Sequence, residues 1–130
     1  MRKGMTLAEI LVAAGVILLL GVPMLLGVLD ARRRERDGAV VSAARQAQAA
    51  VETYRAMTAS YPGAAADLPA DDAGLAEAFE YRAEPAGCAP DASETCRSYV
   101  LRFTLEGRVG TLPGGACEVR PAGGITCVRR

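Results

Sequence analysis

From Ile10 to Leu29 the chain carries no charged residue. A helix of that length and apolarity is long enough to cross a hydrocarbon core of about 30 Å. Before it stands the short basic segment Met1-Arg2-Lys3-Gly4, then Met5-Thr6-Leu7-Ala8-Glu9. A secretory signal has a shorter apolar core followed by a small-residue cleavage site. Here the run ends in Asp30-Ala31-Arg32-Arg33-Arg34, which is no such site, so the apolar segment is expected to stay in the mature protein. Pro23 lies inside it. In a water-exposed helix a proline breaks the ladder, whereas in a membrane or a packed bundle it kinks or loosens the helix. Gly15, Gly21 and Gly27 allow helices to approach closely.

Beyond Asp30 the pattern changes but the helical period continues. Val40, Ala44, Ala47, Val51 and Tyr54 recur at helical spacing, with Arg45, Glu52 and Arg55 off that stripe. This predicts an amphipathic continuation to about Ala59, with Gly38 as a point of bending. Ser60-Tyr61-Pro62-Gly63 supplies the stop and a turn. A short helix is expected near Leu75–Phe79 and a short strand over Phe79–Arg82. Glu84–Cys96 reads as a loop. Tyr99, Leu101, Phe103 and Leu105 alternate with Val100, Arg102, Thr104 and Glu106, the pattern of a half-buried strand. Gly107-Arg108 is the expected turn into a returning strand, Val109–Leu112. After Pro113-Gly114-Gly115, a last hairpin is expected from Cys117–Arg120 and Ile125–Arg129, around Pro121-Ala122-Gly123-Gly124. The fold class is α+β: a long N-terminal helix, membrane-spanning in its first half and amphipathic in its second, packed on a small C-terminal antiparallel β-sheet. The segments are 1–4, a leader; 5–29, the spanning helix; 30–59, its amphipathic continuation; and 60–130, a globular β domain.

All four cysteines, Cys88, Cys96, Cys117 and Cys127, fall in that last segment, and none forms a C-x-x-C pair. Behind a membrane segment they indicate disulfides and an oxidising compartment. Cys88–Cys96 would close the loop and Cys117–Cys127 would staple the last hairpin, but four cysteines permit other connectivities and the sequence does not choose among them. Each such staple contributes on the order of 2–4 kcal/mol, which matters in a small sheet domain. The spacings are too long for the usual zinc knuckles. Asp67, Asp71 and Asp72 lack EF-hand spacing. No metal and no cofactor is expected.

Composition narrows the function. The 15 basic residues balance the 15 acidic ones, and there is no histidine or tryptophan. That removes His-based triads, the usual histidine metal ligands and stacking platforms for single-stranded nucleic acid. No nucleophile motif or recognisable carboxylate pair is present, so an enzyme is not expected. One carboxylate, Glu9, stands at the edge of the apolar segment. It can snorkel to the headgroups, or it can pair with a cation on assembly. Cleavage after Gly4 would create that cation, the amine of Met5, one helical turn away. A misregistered neighbour would leave both charges unpaired in apolar surroundings, so Glu9 would set register.

Lys3-Gly4-Met5-Thr6-Leu7-Ala8-Glu9, followed at once by the apolar helix, resembles the class III signal of type IV pilins and type II secretion pseudopilins. The resemblance implies cleavage after Gly4 by a prepilin peptidase, methylation of Met5 as the new N-terminus, and Glu9 as the docking carboxylate. It implies homologous pilin subunits as partners in a helical filament. It also implies a single pass through the bacterial inner membrane before assembly, with the N-terminus cytoplasmic and the domain extracytoplasmic. The filament then reaches the cell surface or spans the periplasm. The helix exit at Tyr54 and Ser60-Tyr61-Pro62 is similar to that of small pilins, and the Cys117 and Cys127 pair resembles the family's C-terminal disulfide loop.

Two other readings stand beside this one. In the first, Arg97, Arg102, Arg108, Arg120, Arg129 and Arg130 make a basic face and the chain is a minor tip subunit that binds DNA or a surface. In the second, the chain is a plain membrane-anchored domain. Arg2 and Lys3 face Arg32, Arg33, Arg34 and Arg36 across the apolar run, and charge counting alone would place the N-terminus outside. The resemblance places it inside. The arginine cluster then reads as a solvated helix face with internal ion pairs, or as a contact for anionic headgroups.

Overall fold

A computed structural model describes residues 6–91 and 93–129, apart from the side chain of residue 75. Helix α1 runs 52 residues, Leu7–Thr58. A one-turn 3-10 helix, Ala65–Asp67, and a second helix, α2 (Ala70–Glu77), follow it. The chain then forms four strands, β1 (Glu80–Glu84), β2 (Ser98–Leu105), β3 (Gly115–Val119) and β4 (Ile125–Val128). The strands pair antiparallel in the order β1-β2-β3-β4, a simple meander. The second half of α1 packs on this sheet, giving the expected α+β arrangement. Contacts divide the chain into two compact units that meet between Arg33 and Arg34.

In the first unit, every described residue is exposed, including the large apolar side chains from Leu7 to Leu29. The helix contains Pro23 without interruption. Its apolar window is long enough to cross a membrane, and none of it is buried within this chain.

In the second unit, α1 buries Asp37, Val41, Ala44, Ala47 and Val51. The stripe is the expected one, except that Val41 is the buried valine and Val40 is only half-buried. Ala44 and Ala47 are fully buried, and their small side chains let the helix lie close to the sheet. Opposite them lie Tyr99, Leu101 and Val119, with Tyr61, Leu68 and Phe79 closing the core from the linking segment. Gly38 falls within α1, which does not break there.

The helix ends where the sequence placed its stop. Ala59 takes a left-handed φ of 62°, and its amide donates to the Arg55 carbonyl at 2.8 Å. The Tyr61 amide then donates to Cys96 O at 3.1 Å, which ties the helix exit to the loop before β2. α2 begins at Ala70, earlier than expected, because Pro69 stands at its N-cap and Asp71 and Asp72 occupy its first turn. Acidic side chains there favour the positive end of the helix dipole.

The expected returning strand over Val109–Leu112 does not exist. Val109 and Leu112 instead bond each other across a tight turn, amide to carbonyl at 3.0 and 2.9 Å, with Gly110 at a positive φ of 58°. The positions on β2 that such a strand would need are taken by β3, with Leu105 opposite Gly115 and Leu101 opposite Val119. The partner of β2 is therefore the cysteine-bearing strand, and residues 106–114 form the loop between them.

Candidate functional site

At its start α1 carries a reciprocal cap. Thr6 precedes the first helical residue and Glu9 is the third within it. The Thr6 amide and hydroxyl donate to Glu9 Oε2 at 3.1 and 3.3 Å, and the Glu9 amide donates back to Thr6 Oγ1 at 3.3 Å. This is a capping box, and its signature, Thr-x-x-Glu before an apolar run, was present in the sequence. Glu9 therefore has a local use in addition to any use in assembly. Its carboxylate bonds the amide of the residue next to Met5. Gly4 and Met5, the expected processing residues, lie outside the described residues, as does Arg130.

The domain is fastened to the second half of α1 at three points. Asp37 is 4% exposed, and its carboxylate accepts the Glu106 amide at 3.1 Å and the Gly107 amide at 2.7 Å. Gln48 Nε2 donates to Gly123 O at 3.3 Å, in the β3–β4 turn. Near the helix end, Glu52 accepts from the Tyr61 and Tyr99 hydroxyls at 3.2 and 3.3 Å. Arg55 Nη1 donates to the Tyr61 hydroxyl at 2.9 Å, with its guanidinium carbon 4.8 Å from that ring's centroid. Asp37 lies in the charged segment that follows the apolar run. Its position four residues before Val41 puts it on the buried stripe, a signal that was legible.

These contacts explain the state of the tyrosines. Burial, and then the Glu52 charge, push the Tyr99 and Tyr61 hydroxyls above their ordinary pKa. Tyr81 donates to Pro62 O at 2.7 Å, and burial followed by Asp67 raises it. Tyr54 is raised by burial and then by the charges of Asp67 and Asp91.

The cysteines pair as Cys88–Cys96 and Cys117–Cys127, with Cα atoms 5.1 and 4.0 Å apart. Cys117 and Cys127 sit directly opposite each other on β3 and β4.

The arginines of the DNA-binding reading are dispersed among different settings. Arg102 lies 4.0 Å from Glu80, and Arg120 lies 3.1 Å from Glu118 and 3.9 Å from Glu84. On that outer face Arg82 also pairs with Glu80, at 2.7 Å. Arg108 and Arg129 line a separate cleft with Glu106, Gly107, Gly114 and Gly115. Asp67 Oδ2 accepts the Ala64 amide at 2.9 Å. Among the described residues no three acidic or sulfur side chains converge as metal ligands.

No family model, no curated protein and no solved structure matches the chain.

Proposed function

We propose that this chain is the structural subunit of a type IV pilus or a type II secretion pseudopilus. It is cut after Gly4 by a prepilin peptidase and assembled through its N-terminal helix. The observation that carries the reading is the division of α1. Its first half exposes an uninterrupted apolar surface, while its second half packs on a disulfide-stapled antiparallel sheet. An exposed apolar helix needs a bilayer or other helices around it. A filament subunit uses each in turn, first as a membrane protein and then among its copies. The Lys3-Gly4 to Glu9 motif at the head of that helix supports the same reading.

The experiment is coexpression with and without a prepilin peptidase, followed by intact mass analysis. The expected product begins at a methylated Met5 and does not form from Gly4→Val. Lys3 is the single lysine of the sequence, so a chain cut after Gly4 keeps only one amine, its N-terminus, which is primary before methylation and secondary after it. An amine reagent then reports on the new terminus alone. A product that retains Arg2 and Lys3 beside active peptidase would leave a plain membrane-anchored domain.

A further inference from the structure

We propose that the end of the domain carrying Arg36, Arg108 and Arg129 rests on anionic phospholipid headgroups of the membrane that the apolar segment enters. The inference rests on the anchoring part of the reading above and not on filament assembly.

The fold brings these three residues together from distant places in the sequence. Asp37, next to Arg36, binds the amide of Gly107, next to Arg108, at 2.7 Å. Arg129 joins them because Gly115 packs on its backbone, a Cβ there lying 3.3 Å from the Arg129 Cα. Arg108 and Arg129 line the same cleft. All three are exposed and make no ion pair with another described residue. The arginines of the outer sheet face are instead paired with Glu80, Glu84 and Glu118.

Chain reach sets where this end lies. Asp37 follows Leu29 by eight positions, a stretch that spans about 12 Å if helical and at most about 29 Å if extended. Arg32, Arg33 and Arg34 fall within it. The acidic residues of this region are Asp30, Glu35 and Glu106, together with Asp37, whose carboxylate is turned inward onto two amides. Arginines therefore outnumber the exposed carboxylates here. The acidic surplus lies elsewhere: between Ser60 and Glu94 the only basic residue is Arg82, against Asp67, Asp71, Asp72, Glu77, Glu80, Glu84, Asp91 and Glu94. Asp67 and Asp91 act on Tyr54, near the far end of α1. With 11 basic residues against 13 acidic ones over residues 34–130, the domain is slightly acidic but charge-polarised, with its basic end tethered next to the bilayer. A negatively charged surface attracts such an end and repels the other, each basic residue strengthening the contact roughly fivefold.

The test reconstitutes the full chain into phosphatidylcholine vesicles and into vesicles containing phosphatidylglycerol, and follows hydrogen exchange over residues 106–114. Exchange is expected to be at least about fivefold slower on the anionic vesicles at low salt and to return to the phosphatidylcholine rate at high salt. The slowing should vanish in Arg36→Gln/Arg108→Gln/Arg129→Gln and persist in Arg82→Gln/Arg102→Gln/Arg120→Gln. Equal exchange on both vesicles for the unaltered chain overturns the proposal, whatever the variants do. So does a slowing that follows protein density rather than lipid charge, which would identify a second copy as the partner. No peptidase is involved, so failure of the filament reading leaves this result unaffected.

Discussion

Glu9 has one use in the structure, as a cap, and a second in the proposed assembly, and the two differ in what they need from its charge. As a cap it accepts bonds from Thr6, which a carboxamide oxygen also does. As the partner of a new Met5 amine it must be ionised. Glu9→Gln is therefore expected to keep membrane insertion and cleavage but to lose filament assembly, measured as sedimentable polymer beside the mass of the cut product. Full polymer yield from Glu9→Gln would reduce Glu9 to a cap. Asp37 is the opposite case, a carboxylate with a purely internal use. Asp37→Ala leaves the Glu106 and Gly107 amides without their partner and is expected to cost about 1–3 kcal/mol in urea unfolding of the detergent-solubilised chain. Asp37→Asn should cost less, because one oxygen still accepts. The motif around Glu9 could be read in full from the sequence because a capping box is local. The Asp37 contact could not, because its partners lie 69 and 70 residues away.

The same division between local and non-local signals governs the elements. The helical stripe from Val40 to Tyr54 was legible because its period is set by one element's own geometry. The last hairpin was legible because Pro121 to Gly124 leaves Cys117 and Cys127 face to face. The strand expected over Val109–Leu112 was not legible as a turn, because two apolar residues flanking Gly110-Thr111 suit either form and the choice depends on which segment pairs with β2. Gly115 decides it. It sits at φ 129°, and a Cβ there would overlap the Val128 carbonyl oxygen. Gly115→Ala is accordingly expected to destabilise the domain by about 1–3 kcal/mol, through a backbone conformation that side chains rarely adopt together with loss of the close β3–β4 approach. Thermal unfolding of the oxidised protein reads this directly. The edge strand β4 depends on its staple as well, since it pairs with β3 alone. Cys117→Ser/Cys127→Ser should cost about 2–3 kcal/mol by releasing a short closed loop, with the excess hydrogen exchange confined to β3 and β4.

At the scale of the whole molecule, the absence of lysine after Lys3 makes the alkaline limit of stability unusually simple. With all four cysteines in disulfides, the side chains that titrate between neutrality and pH 12 are the four tyrosines and, in the uncut chain, Lys3. Each is raised above its ordinary value in the fold, by burial first and then by Glu52 or by Asp67 and its neighbours. The unfolded chain releases these protons near pH 10, whereas the folded chain holds them longer. Between those limits the native state binds more protons, so stability falls as pH rises. The stabilisation is fully present below about pH 10 and is lost above it as pH climbs towards the folded values. For Tyr99, which has no exposed surface, the expected slope is about 1.4 kcal/mol per pH unit once the unfolded form ionises. The measurement is urea unfolding at intervals from neutral pH into the alkaline range, with tyrosinate absorbance recorded on the same samples. Tyr99→Phe removes this titration and the bond to Glu52 together, so its stability at neutral pH should fall while the alkaline slope becomes shallower. A slope unchanged by Tyr99→Phe, or tyrosinate appearing before the protein unfolds, would place the proton release elsewhere and weaken the assignment of Glu52 and its tyrosines as the joint between helix end and sheet.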